Sequence, residues 1–190
     1  MMTYSQIAAP AAMPVTLAEA KAHLRVTSDT EDDTITSLIA AATQYLERDT
    51  GQSLLDQQWR AYFDAVPRDG VLELMRSPVR GIVAVTIYDS AGNPTELDGS
   101  DYYVNLVSRP ARVRLVDGVT AAMRANGIEI DFDAGYGEAG TDVPDMLKRA
   151  VLVLVAHWFE FRGVFDAADQ PVSVPALYAR LTRHFRFLSV

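Results

Sequence analysis

The spacing of apolar residues changes twice along this chain, from helical to alternating and back to helical. After an Ala/Pro-rich opening, "VTLAEAKAHLRV" puts Leu17, Ala20 and Leu24 on one helical face, and Thr16 and Glu19 have the T-x-x-E spacing of a capping box. In "TSDTEDDTITSLIAAATQYLERDTG", Ile35, Leu38, Ile39, Ala42, Tyr45 and Leu46 keep the helical period. Asp29, Glu31, Asp32 and Asp33 sit where a helix N-terminus favours negative charge, and Gly51 is a stop signal.

From Ser53 to Ala134 the period becomes two. "LLDQQWRAYFDAV", "VLELM", "IVAVTIYD", "DYYVNLV", "ARVRLV" and "GIEIDFDA" read as short strands, separated by turn signals such as "PRDG", "SAGNP" and "LDGS". Such closely spaced hairpin signals predict an antiparallel sheet, not a parallel one with helical crossovers. "PDMLKRAVLVLVAHWFEFRG" is read as a buried helix by its length and flanks, with Asp142 and Pro144 in its first turn and Gly163 at its end. Beyond a loop from Val164 to Ser173, "VPALYARLTRHFRFL" predicts a final amphipathic helix. Val174, Leu177, Tyr178, Leu181, Phe185 and Leu188 line one side, and Arg180, Arg183 and Arg186 lie opposite.

These elements predict an α+β fold, a helical bundle of about four helices with an inserted, mainly antiparallel β region. The helices come from residues 15–51 and 142–163 and the β insertion from 53–135, all within a main domain of 15–171. Residues 1–14 are expected as a flexible N-terminal arm, and 172–190 as a basic amphipathic C-terminal helix. Leu38, Ile39, Val151, Leu154 and Trp158 are expected to share one core.

Composition narrows the function. About half of the 190 residues are apolar and 22% charged, the balance of a folded domain. With no cysteine, disulfide scaffolds, Cys-ligated zinc and thiol nucleophiles are excluded. The opening "MMTYSQIAAPAAMP" has neither a basic n-region nor an apolar h-region, so no signal peptide is expected. The longest apolar run, Ala150 to Ala156, is far short of the ~20 residues of a membrane span, and no membrane partner is expected. The net charge of −8 argues against wrapping nucleic acid. It is also uneven, because residues 172–190 hold three arginines and no acid.

The most suggestive motif is a literal G-x-G-x-x-G at Gly135, Gly137 and Gly140. A dinucleotide site needs a helix that begins within the glycine turn, so that its N–H groups face the pyrophosphate. Here Pro144 sets the helix start later, Glu138 would repel a phosphate, and the preceding strand alternates with acids. The glycines are read as a connector, and no cofactor is expected. His157 and Glu160 form an H-x-x-E, but a bundle metal site needs further inward carboxylates. The acids at 29–33 lack a calcium-loop pattern. His23 and His184 have no nucleophile motif beside them. No catalytic, cofactor or metal residues are assigned.

The ordered segments resemble the head–tail connector (adaptor) proteins of long-tailed phages and gene transfer agents. The resemblance runs from about Met13 to the C-terminus. It is carried by "PVTLAEAKAHLRV", "DDTITSLIAAATQYLERDTGQSL", "QQWRAYFD", "SPVRGIVAVTIYDSAGN", "DYYVN", "IDFDAGYGEAGTDVPDMLKRAVLVLVAHWFEFRG" and "VPALYARLTRHFRF". It implies a ring of copies, twelve in number, beneath the portal in the virion neck, with assembly in the host cytoplasm. The ring would continue the DNA channel without sequence-specific binding and offer a platform to a stopper or other tail-proximal protein. No reaction or cofactor is implied. Two other classes stay open on the residues alone: a small enzyme of the β region, and a capsid-associated binding module.

Within the resemblance, residues 172–190 are the expected portal-docking element, with Leu177, Tyr178, Arg180, Leu181, Arg183, Phe185, Arg186 and Phe187 as its contacts. The final helix is expected to swing from the body and lay its apolar stripe on the portal while the arginines meet acids. The alternative is that it packs back on its own subunit.

Overall fold

Long-range pairing divides the sequence into a β unit, residues 1–10 and 56–135, and a helical unit, residues 11–55 and 136–190. The computed structural model describes residues 2–119, 127–161 and 174–187. Gly163, the loop from Val164 to Ser173 and Leu188 lie outside the described residues.

The helical unit contains α1 (Leu17–Leu24), α2 (Asp32–Thr50), a 3-10 turn (Gly140–Asp142), α3 (Asp145–Glu160) and α4 (Ala176–Thr182). The capping box at the start of α1 is formed: the Glu19 backbone N–H donates to Thr16 Oγ1 at 3.2 Å, and the Thr16 N–H donates to Glu19 Oε2 at 2.7 Å. Two of the four acids around the start of α2 also hold the α1–α2 corner, since Lys21 Nζ donates to Asp29 Oδ1 and Asp32 Oδ1, each at 2.6 Å. Gly51 ends α2 in the left-handed conformation, φ 72°, with its N–H on the Glu47 carbonyl. Helix α3 buries Leu147, Ala150, Val151, Leu154 and Val155, the i, i+3, i+4, i+7, i+8 stripe of an amphipathic helix. That stripe meets Ile35, Ile39, Ala42 and Leu46 of α2, with Leu38 and Trp158 partly buried at the margin. Helix α3 starts at Asp145 and stops at Glu160, inside the expected 142–163, because Gly140–Asp142 turns as a separate 3-10 element.

The β unit has a five-stranded antiparallel sheet, ordered β1 (Met2–Ala8), β2 (Gln57–Phe63), β8 (Ile128–Ala134), β4 (Val79–Tyr88), β5 (Pro94–Glu96). A second sheet has the order β3 (Val71–Leu74), β7 (Ala111–Leu115), β6 (Tyr102–Asn105). Alternation decides what is buried: in β8, Ile128, Ile130, Phe132 and Ala134 face inward, whereas Asp133 is exposed. Both sheets contribute to one core, with Trp59, Phe63, Ile130 and Phe132 from the larger and Leu72, Leu74, Val113 and Leu115 from the smaller. Opposite this core, Arg60 lies across from Asp131 in register and holds it bidentately, at 2.6 and 2.7 Å, with Glu129 at 3.0 Å.

One expectation is corrected. The N-terminal segment is no flexible arm over residues 2–8: it pairs with β2 from Met2↔Phe63 to Ala8↔Gln58, and Tyr4 packs edge-on against Phe132 at 6.3 Å. Backbone pairing orders it despite its exposed side chains. Leu38, Ile39, Val151, Leu154 and Trp158 share one core, as expected, and it is the core of the helical unit; the β unit has its own.

Candidate docking surface

The final segment leaves the helical unit with a short helix. Pro175 sits at the N-cap of α4, where its missing N–H costs no hydrogen bond, and the helix ends at Thr182 rather than running on through Arg183 and Arg186. Thr182 Oγ1 donates back to the Tyr178 carbonyl at 3.0 Å. Tyr178 and Thr182, one turn apart, are both fully buried.

Tyr178 fixes the segment. Its ring lies edge-on to Tyr45 at 5.7 Å, and Tyr45 in turn lies edge-on to Trp158 of α3 at 5.8 Å. The Tyr178 hydroxyl donates to Asp49 Oδ2 at 2.8 Å, and the same oxygen accepts from Arg186 Nη2 at 2.6 Å. Burial, and then the hydrogen bond to Asp49, push the Tyr178 hydroxyl far above the ordinary tyrosine range. The hydrogen bond to Asp49 also raises Arg186 above the usual arginine value. A second clasp closes the segment: Gln52 Nε2 donates to the Phe185 carbonyl at 2.7 Å, and Tyr136 Oη donates to Gln52 Oε1 at 2.9 Å. Gln52 is buried, and these two bonds satisfy both ends of its amide.

This arrangement sorts the eight expected docking residues. Tyr178 belongs to the subunit's own core, and Leu181 and Phe185 pack against it. Arg186 is tied to Asp49, and Phe187 is half-buried. Leu177, Arg180 and Arg183 face outward, with Leu177 47% exposed and Arg183 Nε donating to His184 Nε2 at 2.9 Å. The expected swing of the final helix away from the body is not what the chain does, because a buried ring and two polar clasps hold it. Asp49 and Gln52, which make those clasps, were not among the candidates.

The other motifs resolve as packing. A Cβ on Gly140 would lie 2.6 Å from the Pro14 carbonyl oxygen, and one on Gly137 would meet the Asp142 carboxylate. The glycines therefore admit neighbouring chain, and α3 begins five positions past Gly140, away from any phosphate cradle. His157 lies against the Phe161 ring at 4.9 Å, while Glu160 is exposed.

Against known proteins, residues 14–93 match the family model described as phage gp6-like head-tail connector protein. No curated protein matches the chain. Among solved structures, a chain in the virion of a native gene transfer agent (GTA) particle superposes with a TM-score of 0.82 at 24% identity, covering 99% of this chain and 97% of its own. Chains in the neck of a native GTA particle computed with C12 symmetry and of an empty one computed with C6 symmetry give TM-scores of 0.80 and 0.79 at the same identity and coverage. The resemblance read from the sequence is borne out: residues 14–93 carry the pattern of the phage gp6-like head–tail connector family, on a fold shared along nearly the whole chain with chains of GTA particles.

Proposed function

We propose that this chain is a structural neck protein, a head–tail connector without enzymatic activity. Twelve copies form a ring between the portal and the stopper or other tail-proximal protein and continue the DNA channel. The observation that carries this reading is the shared fold over 99% of the chain with components of GTA particles, two of them necks, joined to the family match over residues 14–93. The net charge of −8 suits a wall along which DNA slides without adhering. Chemical cross-linking in intact particles tests it. Contacts with the portal at one end and a tail-proximal protein at the other are expected, and copies spread over the capsid lattice would overturn it.

Within this reading the C-terminal segment meets the portal through its outward residues Leu177, Arg180 and Arg183. Tyr178, Leu181, Phe185 and Arg186 hold that surface in place. The triple variant L177D/R180E/R183E changes only exposed side chains, at up to about 0.5 kcal/mol each, so its stability is expected within about 1.5 kcal/mol of the parent. It should fail to join portal-bearing heads. Normal joining would remove the segment from the docking surface.

A further inference from the structure

Among the described residues the two sheets of the β unit end in four edge strands, and these differ in a way that bears on assembly. An open edge presents unpaired backbone N–H and C=O groups, and proteins that avoid edge-to-edge pairing blunt such edges with charge, proline or brevity. Two of the four are blunted. Strand β5 has three residues and includes Pro94 and Glu96. Strand β3 carries Glu73, whose carboxylate accepts from Arg112 Nε at 3.2 Å on the neighbouring strand.

The other two are not. Strand β1, "MTYSQIA", is seven residues long without a charge or a proline, and among the described residues it is bonded on one side only, to β2. Strand β6, "YYVN", is likewise uncharged and, among the described residues, bonded only to β7. Six of the twelve large exposed apolar side chains among the described residues lie on or beside these two edges: Met2, Ile7, Tyr103, Val104, Leu106 and Val107. Tyr103 on β6 is 70% exposed and Val107, in the bend that follows, 93%, so with Val104 and Leu106 they form an exposed apolar patch of the kind that marks interaction sites.

We propose that β1 of one copy pairs with β6 of the next, so that the ring is closed by sheet augmentation between subunits. The proposal rests on the ring reading and specifies its contact. The occupant is a second copy because one chain offers two different uncharged edges on two different sheets. Joining unlike edges is a heterologous contact, which repeats head to tail and gives a ring where the rotation between copies closes. Joining β1 to β1 would be isologous and would stop at a dimer. Backbone hydrogen bonds supply the affinity, and the apolar side chains flanking the two edges supply the register.

The chain has no cysteine, so the contact can be tested with introduced ones. Thr3, Ser5 and Ile7 of β1 are exposed, as is Tyr103 of β6. Copies carrying Thr3→Cys, Ser5→Cys or Ile7→Cys are mixed with copies carrying Tyr103→Cys and treated with a short bismaleimide, both as concentrated full-length protein and in assembled necks. A covalent dimer is expected from at least one mixture, a ladder of higher species from the corresponding double variant, and monomer from each single variant alone. Ser5→Lys with Ile7→Lys should abolish rings while leaving each copy folded. Rings that persist in micrographs without any of the three cross-links overturn the β1–β6 contact and leave the ring reading standing. Cross-linking of a β1 variant with itself replaces the contact by an isologous one. Absence of rings both in solution and in necks removes the ring reading and this contact together.

Discussion

Replacing Tyr178 with alanine is the sharpest test of where the C-terminal segment belongs. The ring is fully buried and packed on Tyr45 at 5.7 Å. An aromatic side chain of this kind withdraws about 150–250 Å² from water. At ~25 cal/mol per Å² that burial is worth roughly 4–6 kcal/mol, an upper figure because the unfolded chain is itself partly collapsed. Large-to-alanine changes in packed cores cost ~3–5 kcal/mol, and that is the loss expected here. Tyr178→Phe keeps the ring and removes only the donor to Asp49. The Asp49 side chain is 26% exposed and retains Arg186, so water replaces the lost partner and the loss should be ~1 kcal/mol. Urea unfolding measures both. Of the two tryptophans, Trp59 belongs to the β unit and Trp158 to the helical unit, so a Trp59→Phe background leaves Trp158 reporting on the helices alone. A loss below ~1 kcal/mol for Tyr178→Ala would refute the assignment of the segment to the helical core.

Three further outcomes follow from individual contacts. The hydrogen bond from Lys148, then that from the Thr16 backbone, hold the Glu19 carboxyl at about 2, below its ordinary 4.5. Its contribution is complete above the unfolded value and is lost as pH falls toward 2, so Glu19→Gln should flatten the acid limb of the stability profile. Burial raises the Tyr4 hydroxyl to about 12, from an ordinary 10.0. Between those values the unfolded chain has released a proton that the folded one keeps, so stability declines as pH rises, and Tyr4→Phe should remove that part of the alkaline decline in Trp59 fluorescence. Gly140→Ala forces a methyl to 2.6 Å from the Pro14 carbonyl, and a loss of ~1–3 kcal/mol on urea titration is expected.

Most of this architecture is legible in residue spacing because it rests on local periodicity. The stripe from Leu147 to Val155 could be buried only along one helical face, and the T-x-x-E at Thr16 and Glu19 produced the capping box it predicts. Strand β2 alternates buried and half-buried along its whole length, so its inward set follows once it is read as a strand. The segment at residues 2–8 carries no such mark. Its side chains are nearly all exposed on both faces, and what orders it is backbone pairing to residues fifty or more positions away. An edge strand of that kind has no burial pattern to betray it.

The C-terminal segment marks a different boundary. An amphipathic stripe states that an apolar surface will cover it, and the same Tyr178, Leu181 and Phe185 serve equally for the chain's own core or for another protein. What decides is the polar partner. Asp49, which receives Tyr178 and Arg186, lies 129 and 137 positions earlier on a helix whose acids read as ordinary solvated charge. A long-range bond of this kind appears only when the two segments are folded together. It divides the arginines that the sequence presents as one group: Arg186 is spent within the subunit, and Arg180 and Arg183 stay outward. Any portal surface that recognises this segment therefore meets a face already fixed in position, and it pays little conformational entropy to order it.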